Sequence, residues 1–254
     1  MKRKIFTLVL LVAGAGFPAL AAQMSSRQAQ QDRDVQAQVT KQLEKKDLFR
    51  SLKAEVNDGI VTLTGEVPLY IDKVNAEKRV RKVKSVDGVR NHIQVGGPAI
   101  ADDEVRENLS TKLRYDRVGY GIVFNNLGVD VNNGAVTIAG NVRDYAERDS
   151  ALAIVSTTSG VKEVIDDISV APTSIQDDRL RVQLARAIYG DTNLRKYAMD
   201  PQAPIRIIVE NGHVELAGVV LNDMDRQLAY MRANSVPGIF GVSNHLAVAS
   251  ELKE

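Results

Sequence analysis

Val56-Asn-Asp-Gly-Ile-Val-Thr-Leu-Thr-Gly65 is written twice more along the chain, as Val131-Asn-Asn-Gly-Ala-Val-Thr-Ile-Ala-Gly140 and Val209-Glu-Asn-Gly-His-Val-Glu-Leu-Ala-Gly218. The register runs on past each closing glycine. Eleven residues later stand Ala76, Ala151 and Ala229; twenty-four later, Val89, Val164 and Val242; thirty later, Val95, Val170 and Val248. Self-similarity at a fixed register means repeated structural units. The functional question therefore shifts from one catalytic centre to what three copies of a small module bind.

Each block reads as a β-hairpin. Asp58-Gly59, Asn133-Gly134 and Asn211-Gly212 are two-residue signals for a type I′ turn, which needs positive φ at both positions. The second strand alternates, as in Val61, Leu63, Gly65, Val67 and in Val136, Ile138, Gly140, Val142. Val214, Leu216, Gly218 and Val220 repeat it. One apolar face at period two marks a sheet covered on one side. The recurrent Gly65, Gly140 and Gly218 predict close approach of a helix backbone there.

Upstream, Val35/Val39/Leu43, Val105/Leu109/Leu113 and Leu180/Leu184/Ile188 recur every four residues, the stripe of an amphipathic helix. Asp32, Asp102 and Asp177 lie three residues before each stripe and are expected to cap free amides at the helix start. Downstream, Ala76/Val80/Val83, Ala151/Val155/Thr158 and Ala229/Ala233/Val236 form a second inward stripe. Asp144 with Glu147 and Asn222 with Asp225 are read as N-caps with acidic N3 partners, whereas the first repeat has Pro68-Leu69 instead. A third strand closes each unit: Val89 to Val95, Val164 to Val170, Val242 to Val248. The expected fold is α+β: three tandem αββαβ modules, each a three-stranded sheet with two helices on one face. The expected boundaries are 32–96, 102–171 and 177–249, with Pro/Gly-bearing linkers between them.

The amino-terminal end reads as a leader. Met1-Lys2-Arg3-Lys4, an apolar run from Ile5 to Phe17 and Ala19-Leu20-Ala21 make a secretory signal peptide over 1–22, cut after Ala21 or Ala22. Residues 23–31 are expected to be a flexible polar lead-in. The apolar run is shorter than the roughly 18–20 residues of a span, so no transmembrane segment is expected in the mature chain. With no cysteine, disulfides and a lipobox are excluded. The chain carries 33 basic and 32 acidic residues, and loss of the leader leaves it slightly acidic. That is no footprint of nucleic-acid binding.

The repeats resemble tandem BON domains (bacterial OsmY and nodulation), most closely of the secreted OsmY type. The resemblance rests on V-x-[DN]-G-x-V-x-[LI]-x-G-x-V and on the closing V-x-[ND]-x-[IL]-x-V strand, and covers about residues 32–248. It implies a periplasmic protein without enzymatic activity that binds phospholipid or envelope surfaces, often under envelope or osmotic stress. Three modules and no anchoring cysteine depart from relatives that carry two modules on a lipid anchor.

Chemistry-bearing residues are sparse. His92 and His245 are repeat equivalents on the solvent side of the third strand, and no Cys or His cluster has metal-ligand spacing. No nucleophile elbow, Walker loop or dinucleotide fingerprint occurs in context. Neither an enzyme nor a cofactor is expected. Two surfaces remain. The second helix of the first repeat carries Lys73, Lys78, Arg79, Arg81, Lys82 and Lys84; it is either an anionic-membrane patch, with Lys78, Arg79, Arg81 and Lys82 as candidates, or a solvated face. The connections between first helix and hairpin lengthen by five and eight residues in the later repeats. They carry Tyr120, Ile122 and Phe124, then Tyr197 and Met199, which either wet a lipid boundary, dock a partner or fold back on their own core. Two function classes follow: a peripheral binder of anionic phospholipid, gaining avidity from three modules, or a periplasmic chaperone or adaptor for exported proteins.

Overall fold

Asp58, Asn133 and Asn211 adopt φ of 50, 51 and 50°, and the glycines that follow adopt 73, 80 and 76°. The type I′ turns read from the sequence are present in all three repeats, and the strands they join set the frame of a computed structural model that describes residues 17–116, 123–199 and 205–252. The first module comprises α1 (Phe17–Glu44), β1 (Lys53–Asn57), β2 (Ile60–Thr64), β3 (Glu66–Val67), α2 (Tyr70–Val80), β4 (Gly88–Asn91) and β5 (Gln94–Val95). The second comprises α3 (Asp102–Arg114), β6 (Asn126–Asn132), β7 (Ala135–Val142), α4 (Tyr145–Ser156) and β8 (Glu163–Val170). The third comprises α5 (Ile175–Tyr189), α6 (Arg195–Met199), β9 (Arg206–Glu210), β10 (His213–Val220), α7 (Asp223–Asn234) and β11 (Gly241–Val248).

The three-stranded sheets have one topology, in the orders β1-β2-β4, β6-β7-β8 and β9-β10-β11, and β3 pairs separately with β5. The hairpin is antiparallel, and the last strand lies parallel to its second strand after a helical crossover. Its register is the same each time: Val61 faces Val89, Val136 faces Val164 and Val214 faces Val242. The chain falls into two compact units, one built on the first module and one holding the second and third. Within the latter, Phe124, which leads into β6, joins the core of the third module with Leu184, Ile188, Leu194 and Ile207.

Several expectations are corrected. Asp32, Asp102 and Asp177 do not cap their own helices; each carboxylate accepts two backbone N–H groups from the hairpin turn of its module. Asp32 takes Asp58 N and Gly59 N at 3.0 and 3.1 Å. Asp102 takes Asn133 N and Gly134 N at 2.6 and 3.0 Å. Asp177 takes Asn211 N and Gly212 N at 3.0 and 2.9 Å. A type I′ turn leaves adjacent amides pointing the same way, and one carboxylate can satisfy both. The cap of α5 is Ser174, whose hydroxyl accepts Asp177 N at 3.1 Å. The N-caps of the second helices hold: Asp144 accepts Glu147 N at 3.0 Å and Asn222 accepts Asp225 N at 2.9 Å.

The glycines at the end of the second strand are crowded by the hairpin partner, not by a helix. A Cβ on Gly140 would stand 1.9 Å from the Asn126 carbonyl oxygen, and one on Gly65 would stand 3.2 Å from Leu52 Cα. Their φ values of 126 and 123°, with 122° at Gly218, demand glycine independently. Residues 23–31, expected to be a flexible lead-in, are instead part of α1. Gln, Ser and Ala tolerate helix, and Gln30 Nε2 donates to Asp34 across one turn at 3.0 Å. Finally, α2 ends at Val80, so Lys82 and Lys84 lie on the turn beyond it.

Candidate functional site

The local sequence Lys45-Lys46-Asp47-Leu48-Phe49 follows the end of α1. Lys46 N donates to Leu43 O at 3.1 Å and Phe49 N to Lys46 O at 2.9 Å, so the chain tightens into a single 3₁₀ turn. That turn drives Phe49 inward, where it is fully buried. Lys46 Nζ stands 4.8 Å from the centre of the Phe49 ring, and the Arg79 guanidinium carbon 5.9 Å from it. Both distances allow cation–π attraction, which draws the two cations to one ring. Lys78 and Lys82, with Gln42 and Asn75, complete an open groove of about 590 Å³ between the carboxyl end of α1 and α2. Its lining holds four cations and no acid.

Of the sequence candidates, Lys78, Arg79 and Lys82 converge on this groove. Arg81 does not: its guanidinium pairs with Glu77 at 2.8 Å, one turn back on α2. That contact and the Asn91 amide hold the Glu77 carboxyl below its ordinary pKa against the effect of burial. Lys46 was not singled out from the sequence. The signal was there, two lysines with an aromatic residue three positions after the second, but it belongs to a different element from α2.

The loop candidates separate. Phe124 and Tyr197 are 5 and 4 % exposed and serve as core residues. Met199 is 80 % exposed. Tyr120 and Ile122 lie outside the described residues. The Tyr197 hydroxyl donates to Asp225 Oδ2 at 2.6 Å and accepts Leu221 N at 2.8 Å. Lys196 Nζ meets the same carboxylate oxygen at 2.7 Å. Burial and the Asp225 carboxylate push the Tyr197 phenol up to about 12. The connection in the third module is thus a plug, folded over its own core.

The family profile for the BON domain matches residues 31–97, 101–172 and 176–250. The chain belongs to the BON domain family. Its three BON modules account for nearly all the described residues. A curated relative, an uncharacterized protein in the gshII 5′ region of Anaplasma centrale, is 25 % identical over 148 residues, covering 57 % of this chain and 98 % of its own. Among solved structures, the C-terminal domain of CdsD, the structural protein of the type III secretion system of Chlamydia trachomatis, aligns at 15 % identity and a TM-score of 0.25. That alignment covers 83 % of this chain and 94 % of that one. A second structure of CdsD aligns at 14 % identity and a TM-score of 0.25, covering 87 and 96 %.

BON domains are in general non-catalytic. Among the described residues no group of three or more His, Asp or Glu side chains is placed to hold a metal. His92 is exposed in the break between β4 and β5, not on a continuous third strand, while His245 is exposed on β11 with its Nδ1 3.3 Å from Glu215. Among the same residues no helix is long and apolar enough to cross a membrane.

Proposed function

We propose that this BON protein is an exported, non-catalytic binding protein that associates peripherally with anionic phospholipid at the bacterial envelope, in envelope or osmotic stress. The observation that carries the reading is the acid-free groove of the first module, in which Lys46, Lys78, Arg79 and Lys82 gather around the buried Phe49 ring. Each cation near an anionic leaflet contributes about 1 kcal/mol. Four acting together give about 4 kcal/mol, a roughly thousandfold enrichment at the surface when every 1.4 kcal/mol is tenfold. The family association of BON domains with phospholipid supports the same ligand class. The basic and apolar pattern of residues 1–22, read as a signal peptide, supports export.

The reading is tested by floating the purified protein with vesicles of phosphatidylcholine alone or mixed with phosphatidylglycerol. Retention on the mixed vesicles only, lost as salt shortens the Debye length from ~10 to ~3 Å, is expected. Equal retention on both vesicle types would replace the electrostatic reading by an apolar one. A second reading, capture of exported proteins, is favoured by the apolar side chains that the third module exposes, Met199, Met224 and Phe240. It predicts suppression of client aggregation that salt leaves unchanged.

A further inference from the structure

Among the described residues, three side-chain atoms are buried without a hydrogen-bond partner: Asn125 Oδ1, Glu147 Oε1 and Arg206 Nε. The three residues line one and the same cavity, of about 180 Å³, within the unit formed by the second and third modules. Asn125 precedes β6, Glu147 lies in the first turn of α4, and Arg206 opens β9. The Glu147 side chain is 1 % exposed. Its Oε2 accepts Arg143 N at 2.8 Å, but Oε1 has only the Arg143 guanidinium at 3.8 Å, too far for a hydrogen bond. Arg206 commits Nη1 to Asn126 Oδ1 at 3.2 Å and leaves Nε unused. Buried polar atoms are nearly always satisfied, so three orphans on residues that line one cavity call for an explanation.

The repeat supplies an internal control. Glu147 and Asp225 occupy the same position, seven residues after Gly140 and Gly218. In the third module, Asp225 receives the Tyr197 hydroxyl at 2.6 Å and the Lys196 ammonium at 2.7 Å. The plug behind that hydroxyl, with Leu194, belongs to a core that is larger than the core of the second module. The second module retains the buried acid but leaves Oε1 without a donor, and a guanidinium from the neighbouring module forms part of the wall instead.

We propose that this cavity binds a small zwitterion of the amino-acid class, its ammonium on Glu147 Oε1 and Asn125 Oδ1 and its carboxylate on Arg206 Nε. The volume decides the size: it lies far above the ~10–15 Å³ that one water needs and below the ~300 Å³ at which drug-sized pockets begin. The charges decide the class. The cavity carries a desolvated carboxylate and a desolvated guanidinium, and a ligand with a single charge would satisfy one and leave the other. Arg114 and Asp116 also line the cavity and add one charge of each sign, so the balance of carboxylate and guanidinium is kept. Burial disfavours the charged form of both groups, raising the Glu147 pKa and lowering that of Arg206, so a ligand that restores both charges binds to sites with unmet demand. This site is separate from the groove of the first module and does not depend on it.

Calorimetric titration of the full protein with glycine and L-alanine tests the proposal, with acetate and ethylamine as single-charge probes. Saturable binding of the amino acids is expected, with acetate and ethylamine at least tenfold weaker. Glu147→Gln and Arg206→Gln should each lower affinity at least tenfold, with far-UV circular dichroism and vesicle flotation unchanged. Should either variant fail to fold, Asn125→Ala reads the same site and should also weaken binding. Absence of saturable heat in the folded wild type, equal affinity for acetate or ethylamine, or undiminished affinity in the folded variants would overturn it.

Discussion

A single carboxylate in each module holds the hairpin to the first helix. Asp177 is buried and satisfies two turn amides, whereas Asp32 makes the same pair of bonds while half-exposed. Hydrogen bonds to a charged group contribute about 1.5–3 kcal/mol each. Asp177→Ala is expected to lower stability by about 3 kcal/mol and Asp32→Ala by distinctly less, measured by urea denaturation. Equal losses would show that burial of the clamp does not matter. The turn dipeptides were legible in the sequence because positive φ restricts the residue types. The clamp was not, because its partners lie 26 to 35 residues apart and an aspartate near a helix start already has a local explanation. Glu147 makes a pH-dependent contribution of known sign. Burial raises its folded pKa above 4.5, so its stabilising contribution is present below that value and is lost as pH rises through the folded pKa. Without added ligand, Glu147→Gln should therefore gain stability relative to wild type as pH is raised from 4.5 toward neutral. A constant difference across that range would contradict the assignment.

At the scale of the element, the alternation of helix and strand was readable because each segment has one apolar face at a clear period. The place of the third strand was not, since Val89, Val164 and Val242 would pair as well on either edge by pattern alone. The right-handed preference of parallel crossovers and the short connection settle it beside the second strand. The loops were ambiguous for a physical reason: aromatic residues near glycines suit both a docking surface and a plug. Tyr197 is a plug, fixed by Asp225 and Leu221 N. Tyr197→Phe removes a buried hydroxyl from both partners and should cost about 2–3 kcal/mol; Met199→Ala, at an exposed position, should stay within about 0.5 kcal/mol. Thermal denaturation of the two variants side by side checks the contrast. Likewise Gly140→Ala must displace the Asn126 carbonyl at a positive φ, while a Cβ on Gly128 meets nothing within 4 Å. The former should lower the yield of folded protein and the latter should not.

Across the whole molecule, the three BON modules share a frame and differ in what they carry. The first gathers cations around Phe49, the second keeps a polar cavity at a position where the third is filled by Tyr197, and the third exposes methionines and Phe240. The near-neutral total charge conceals the first of these, because the groove cations come from the turn after α1, from α2 and from the turn beyond α2, and are balanced by acids elsewhere. The central claim is that binding depends on where the positive charge is placed. The direct measurement compares vesicle affinity, at low salt, of two triple variants with the same net charge. One carries Lys46→Glu, Lys78→Glu and Lys82→Glu in the groove; the other carries Lys162→Glu, Arg179→Glu and Arg195→Glu at exposed positions of the later modules. The groove variant should lose binding to phosphatidylglycerol vesicles by a hundredfold or more, at about 1 kcal/mol per lost cation, while the second variant keeps most of it. Equal losses in the two variants, or retention by the groove variant, would contradict the account.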